Sequence, residues 1–393
     1  MNPPAVDGFR MPGEFEPHTG CWMAWPHRPD NWRDNALPAQ HAFVEVAKAI
    51  AQFEPVTMCV PTAHWQRARE MLPTHIRLIE MASDDSWLRD QGPTFLVNDQ
   101  NNVRGIDWCF NAWGELYRPY DHDQLIARKI LEIERIPCYE CPLILEGGAI
   151  HVDGDGTCIT TEECLLNPNR NPTMNKAQIE AMLCDYLGVQ KVIWLKHGLY
   201  RDEDTSGHID NIACYIRPGV IALAWEGDSS DPQYERSQEA YEQLVAETDA
   251  QGRRFEVHKI PQPPPQTMTE EECNSLAATL SPTFEAGEVF GRNPGKRMAA
   301  SYVNFYIANG GIVMPGFNVP TDESARNAIQ ALFPDRRILQ IYSRDILLGG
   351  GNIHCITQQQ PISRSIFSLA YSPDGSASSA HRSYCRRSES AKT

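Results

Sequence analysis

LEGGAI at Leu145–Ile150 recurs in altered form as ANGGIV at Ala308–Val313 and as LGGGNI at Leu348–Ile353. A related turn, RPGVIALAW, starts at Arg217. Glycine supplies the positive φ angles of tight strand connections at little steric cost. Each stretch reads as a turn leading into a strand, and their recurrence points to a pseudo-symmetric repeat, although the intervals between them are not uniform.

Outward from these turns, short apolar runs alternate with amphipathic segments. Ala39–Phe53 carries Phe43, Val46, Ala47 and Ile50 at helical spacing, with Pro38 near its start. PVTMCV (Pro55–Val60) reads as a strand, Thr62 as the N-cap of a helix through Leu72, and Ile76–Ile79 as a further strand. Lys176–Leu187 reads as a helix stopped by Gly188 and followed by the strand KVIWL. Tyr234–Glu247 precedes FEVHKI, and Thr321–Leu332 precedes RILQIY, in the same way. The expected class is α/β, built from strand–helix–strand units. No linker divides the chain. Gln262–Thr269 (QPPPQTMT) reads as a surface loop, and the Ser-rich stretch from Ser372 onward as a disordered tail.

The formal net charge of −16 argues against nucleic-acid binding and suits a cationic small molecule or simple solubility. No apolar run approaches the roughly 20 residues that span a bilayer, and the N-terminus lacks the apolar core of a secretory signal. A cytoplasmic protein is expected. Of the twelve cysteines, only Cys138 and Cys141 form a close pair, and no second pair or histidine spacing completes a zinc site. Most thiols are expected to be reduced.

Four segments could carry chemistry. Cys355 follows the glycines Gly349–Gly351, which would let a nucleophile's backbone approach a substrate. A cysteine attacks as thiolate, and a free thiol titrates near about 8.5, so nearby cationic charge would be needed. Taken alone, a cysteine after a glycine-rich turn is more often structural. In RDEDTSGHIDN (Arg201–Asn211), His208 and Asp210 lie two apart and would share a face if the segment were a strand. They would then offer an imidazole for proton transfer and a carboxylate for a cation, the alternative being a solvated acidic loop. In DDSWLRDQGP, Asp90 precedes a turn into the strand TFLV, with Trp87 three residues earlier, and an Arg89–Asp90 pair capping that turn is the alternative. Glu146, between an apolar run and a glycine pair, is expected to be buried and to need a partner: an arginine, a histidine or a cationic substrate. DGDG at Asp153–Gly156 reads as a hairpin turn rather than a calcium loop.

Together with EFEPHTGCWMAWPHRPDNWR near the N-terminus and LEGGAIHVDGDGTCITTEECLLNPNRNP, these segments resemble the agmatine deiminase family of guanidino-group-modifying enzymes, in the family's order from about residue 10 to about residue 365. The resemblance implies a five-bladed, pseudo-fivefold α/β propeller (the pentein fold) as a single domain over 10–370, with a short extension at 1–9 and a tail at 371–393. It implies hydrolysis of agmatine to N-carbamoylputrescine and ammonia through a covalent amidino-cysteine, a step of putrescine synthesis from arginine. Cys355 would be the nucleophile and His208 the general acid and base. Asp90 and Asp210 would grip the guanidinium, and Glu146 would orient it or the histidine. Asp204 would receive the amine end and Trp87 would pack along the aliphatic chain. No metal or organic cofactor is implied, and a homodimer or larger assembly is. Arginine deiminase, dimethylarginine hydrolase or an amidinotransferase would use the same catalytic set, so only the far end of the pocket separates them from this reading. An amide-cleaving thiol hydrolase, which would have little use for the extra acids, and a non-enzymatic polyamine binder remain further alternatives.

Overall fold

The computed structural model describes residues 2–278 and 292–363. The expected tail at 371–393 lies outside the described residues. The strands, in chain order, are β1 (His18–Ala24), β2 (Val56–Val60), β3 (Arg77–Glu80), β4 (Thr94–Val97), β5 (Val103–Cys109), β6 (Cys138–Ile144), β7 (Ile150–Val152), β8 (Thr157–Thr161), β9 (Lys191–Leu195), β10 (Ala213–Arg217), β11 (Val220–Trp225), β12 (Glu256–Pro261), β13 (Tyr306–Ala308), β14 (Gly311–Gly316), β15 (Arg337–Tyr342) and β16 (Thr357–Pro361). They form five sheets, ordered β16-β1-β2-β3, β4-β5-β6, β7-β8-β9, β10-β11-β12 and β13-β14-β15.

One plan repeats in all five. The first two strands pair antiparallel and the next joins parallel, as in β4–β5–β6, β7–β8–β9, β10–β11–β12 and β13–β14–β15. A parallel neighbour needs a crossover, usually helical. Helices Ile126–Glu134, Lys176–Leu187, Gln233–Ala246 and Thr321–Leu332 supply it in these four sheets, and Leu37–Ile50 supplies it between β1 and β2. The fifth sheet is assembled from both ends of the chain: β16 pairs antiparallel with β1, and β2 lies parallel on its other side. The pseudo-symmetric repeat and the α/β class expected from the sequence are both present.

The glycine turns that signalled the repeat turn out to be of two kinds. ANGGIV and RPGVIALAW are hairpins between the first and second strands of their sheets, with Gly310 and Gly219 at φ +79. LEGGAI and LGGGNI lie ahead of the first strand, outside the sheets. Non-equivalent positions explain the uneven intervals. Thr62 also departs from expectation. A 3-10 turn at Thr62–His64 precedes the helix Trp65–Met71, and the Thr62 hydroxyl donates to Glu80 at 2.6 Å instead of capping. The helix Lys176–Leu187 matches expectation: Asn175 forms a capping box with Gln178, and Gly188 ends it in the left-handed conformation.

Interiors of the sheets are apolar. β11 is buried along Val220–Ala224, and the helix Gln233–Ala246 covers it with Ala240 and Leu244. No helix among the described residues is long and apolar enough to cross a membrane. Leu223 on this strand is fully buried. Leu223→Ala should lower the unfolding free energy by about 2–5 kcal/mol, read as a lower urea midpoint with an unchanged slope.

Candidate active site

Each sheet is preceded by a short turn, and the five turns meet. They are Leu88–Gln91 before β4, Gly147–Ala149 before β7, Ile209–Asn211 before β10, the stretch ending at Asn304 before β13, and the stretch ending at Cys355 before β16. Contacts close the ring. Gly148 N–H donates to Asp90 Oδ1 at 2.8 Å. Asn304 Nδ2 donates to Asn211 Oδ1 at 3.0 Å, and His354 N–H donates to Asn304 Oδ1 at 2.9 Å. Arg89 N–H donates to the Cys355 carbonyl at 3.1 Å.

Gly148 shows how tight the centre is. A Cβ there would lie 2.6 Å from His208 Nδ1, 2.9 Å from Asp210 Oδ2 and 3.0 Å from Asp90 Oδ1. Neither Gly147 nor Gly148 has a positive φ. The pair is required for room rather than for turn geometry, which corrects the reading given to LEGGAI. Gly351 works similarly, since a Cβ there would meet the Trp87 ring at 2.6 Å and Cys355 Sγ at 3.0 Å, whereas Gly350 beside it has a positive φ of +111.

The structure brings Cys355, His208, Asp90, Asp210 and Glu146 together, all buried. His208 and Asp210 do not lie on a strand. They flank the start of the 3-10 turn Ile209–Asn211, and that turn, not strand periodicity, aims both inward. Arg89 does not cap its turn with Asp90 but pairs with Glu14 at 3.0 Å. Both protein partners anticipated for Glu146 are present: Arg170 Nε donates to Oε1 at 2.6 Å, and His208 Nε2 stands 3.7 Å from Oε2. His208 Nδ1 is 3.9 Å from Asp90 Oδ2. These are charge contacts too long for hydrogen bonds, so among the described residues neither ring nitrogen has a hydrogen-bond partner.

Burial works against the imidazolium of His208, but Asp90, Cys164 and Glu146 outweigh it and hold its pKa well above the usual value. Burial would raise Glu146, yet the Arg170 charge beside it brings it down to about 2. Asp90 is pushed up to about 6 by burial, with Asp210 and Glu146 adding to the shift. The Cys355 thiol is pushed far up by burial and by the negative charges of Asp210 and Asp90. It touches Asp210 Oδ2 at 3.3 Å and receives a bond from Asn304 Nδ2 at 3.2 Å.

A cavity opens from Cys355 between Asp90, Trp87, Trp113, Asp204 and Arg292. Trp87 lines it as expected, stacked on Trp32 at 5.2 Å and held by an indole bond to Asp85 at 3.1 Å. Asp204 lines it too, but is paired with Arg292 at 2.8 Å. Sequence reasoning missed Asp85, Asn304, Glu14, Arg170 and His354. Glu14, Arg170 and Asp85 stand inside quoted motifs, in EFEPH, NPNRNP and DDSW, and His354 directly precedes Cys355. Their adjacency to assigned residues was the available signal.

Five repeated α/β sheets with a thiol, an imidazole and carboxylates where their leading turns meet define the class of guanidino-group-modifying folds. Within that class, residues 10–361 match the model of the Porphyromonas-type peptidyl-arginine deiminase family, and the chain belongs to that family. It is 53% identical over 367 residues to the agmatine deiminase of Pseudomonas aeruginosa, covering 92% of this chain and 98% of that one. It is 52% identical over 374 residues to the agmatine deiminase of Medicago truncatula, covering 92% and 98%. The structure of the agmatine deiminase of Enterococcus faecalis superposes with a TM-score of 0.85 at 45% identity, covering 92% of this chain and 98% of that one.

The room at Gly148 can be tested directly. Gly148→Ala should lower kcat/KM by about 10²-fold, the scale of a small misplacement of reacting groups, with little change in far-UV circular dichroism.

Proposed function

We propose that the protein is an agmatine deiminase, and the observation that supports this best is a buried thiol faced by carboxylates and an imidazole at the base of a cavity with acidic groups along its wall. A guanidinium is a poor electrophile because its charge is spread over three nitrogens. Asp90 and Asp210 hold its plane by charge-assisted hydrogen bonds, present the carbon to Cys355 Sγ and keep the group cationic. The incoming cation also offsets the negative charges that keep the thiol protonated, so the thiol loses its proton to solvent and the nucleophile forms in the presence of its substrate.

The thiolate adds to the carbon. His208, held protonated in the free site, gives its proton to the departing nitrogen, and ammonia leaves an amidino-thioether on Cys355. The neutral imidazole then takes a proton from water, which attacks the same carbon. Expulsion of the thiolate gives the ureido product, N-carbamoylputrescine from agmatine. Glu146, fixed by Arg170, keeps a carboxylate beside His208 through both half-reactions.

The far end of the cavity favours an amine over an amino acid. An α-carboxylate would require an available cation. Arg28 is held by Asp30 at 2.5 Å, and Arg292 by Asp204 at 2.8 Å. Asp85 on the same wall takes bonds from Trp32, Trp87 and Asn31 but none from a cation. A reducing, cytoplasmic setting fits the eleven described cysteines, all free.

Ammonia release should be faster from agmatine than from arginine, on the order of 10²-fold in kcat/KM, and Cys355→Ser should abolish it. Faster turnover of arginine or a methylated arginine would sink the substrate assignment. The ionisation of Asp90 sets a second expectation. Asp90 is a carboxylate above about pH 6 and neutral below it. Because kcat/KM reports free-enzyme ionisations, it should fall as the pH drops through about 6.

A further inference from the structure

Behind Asp210 lies a second buried layer that the proposed reaction does not touch. His354 Nδ1 stands 3.0 Å from Asp210 Oδ2, and its Nε2 stands 2.9 and 3.0 Å from the two oxygens of Glu14. Glu14 also accepts from Arg89 Nη1 at 3.0 Å and lies 3.6 Å from His151 Nε2. Arg89 in turn donates from Nε to the His354 carbonyl at 3.3 Å. All five residues are buried.

Two features give this layer a direction. His354 has a carboxylate on each side, and an ionised carboxylate only accepts, so the ring fills both bonds only with a hydrogen on each nitrogen. Asp210 is divided by this contact. Its Oδ2 is taken by His354 and lies beside Cys355 Sγ at 3.3 Å, while its Oδ1 has no hydrogen-bond partner among the described residues.

We infer that His354, anchored by Glu14, is a positioning residue that fixes the Asp210 carboxylate so that Oδ1 receives the guanidinium and Oδ2 sits beside the sulfur. It touches no reacting atom and acts through Asp210. Without it the carboxylate would be free to rotate, and its full charge would face the thiolate as it forms. The inference rests on the guanidine-hydrolase reading of the site.

Three variants separate positioning from general packing. His354→Leu removes both donors at similar bulk. His354→Asn keeps one short N–H donor in the direction of Asp210. Glu14→Gln keeps an acceptor for Nε2 but removes the anchoring charge. The measurements are kcat and KM, with thermal unfolding recorded for each variant. His354→Leu should lower kcat at least 100-fold with a much smaller rise in KM, and His354→Asn should recover at least tenfold of that loss. Glu14→Gln should lower kcat less than His354→Leu does, and added to His354→Leu it should cost little more. Wild-type kcat/KM in His354→Leu would overturn the inference. So would equal losses in the leucine and asparagine variants, or losses that track unfolding temperature. Ratios are read on whichever guanidine the wild type turns over fastest, so an error in the substrate leaves this comparison intact. If no guanidine is turned over, the functional reading fails first and the inference falls with it.

Discussion

Neutralising negative charge in a sealed volume is the constraint on which the rest of this structure depends. Glu14, Asp90, Glu146 and Asp210 are each no more than 6% exposed. An ion taken out of water costs several kcal/mol unless it is paired and hydrogen-bonded. Arg89 answers Glu14, Arg170 answers Glu146, and His354 answers Asp210. Asp90 is different. Its close partners are the Gly148 N–H and the Trp113 indole, both neutral, and His208 stands off at 3.9 Å. The acid without a closely paired cation is thus the one that lines the cavity.

That asymmetry ties binding to reactivity. In the proposed mechanism a planar cation is drawn to Asp90, and its arrival changes the ionisation of the sulfur it meets. A neutral amide would bring no such charge and would leave the thiol protonated. In that mechanism the carboxylates select for substrate class and for timing at once.

Much of this was legible in the sequence, for identifiable reasons. Lys176–Leu187 was readable because its apolar positions and its Gly188 stop agree within one segment, and Thr321–Leu332 because of the spacing of its apolar residues. The site residues were readable because they sit in motifs that resemble a family. What local reading could not supply was the meaning of the motifs' neighbours. Glu14 and His354 are 340 positions apart and touch only because separate turns converge. Gly148 looked like a turn residue, whereas its lack of a side chain makes space for three others across the ring. The strand assumed for His208 and Asp210 failed because a tight turn can aim two residues inward as well as an extended chain can.

The pairing of β16 with β1 has a consequence for biosynthesis. His18, near one end of the described chain, is in register with Pro361, near the other. The stretch that carries Cys355 and β16 is synthesised after all the other strands named above, and it supplies the edge against which the first strand pairs. A nascent chain can complete its middle sheets before β16 is made, but its first sheet waits for that strand. Cys355, two residues ahead of β16, thus takes its place with the strand that completes the first sheet.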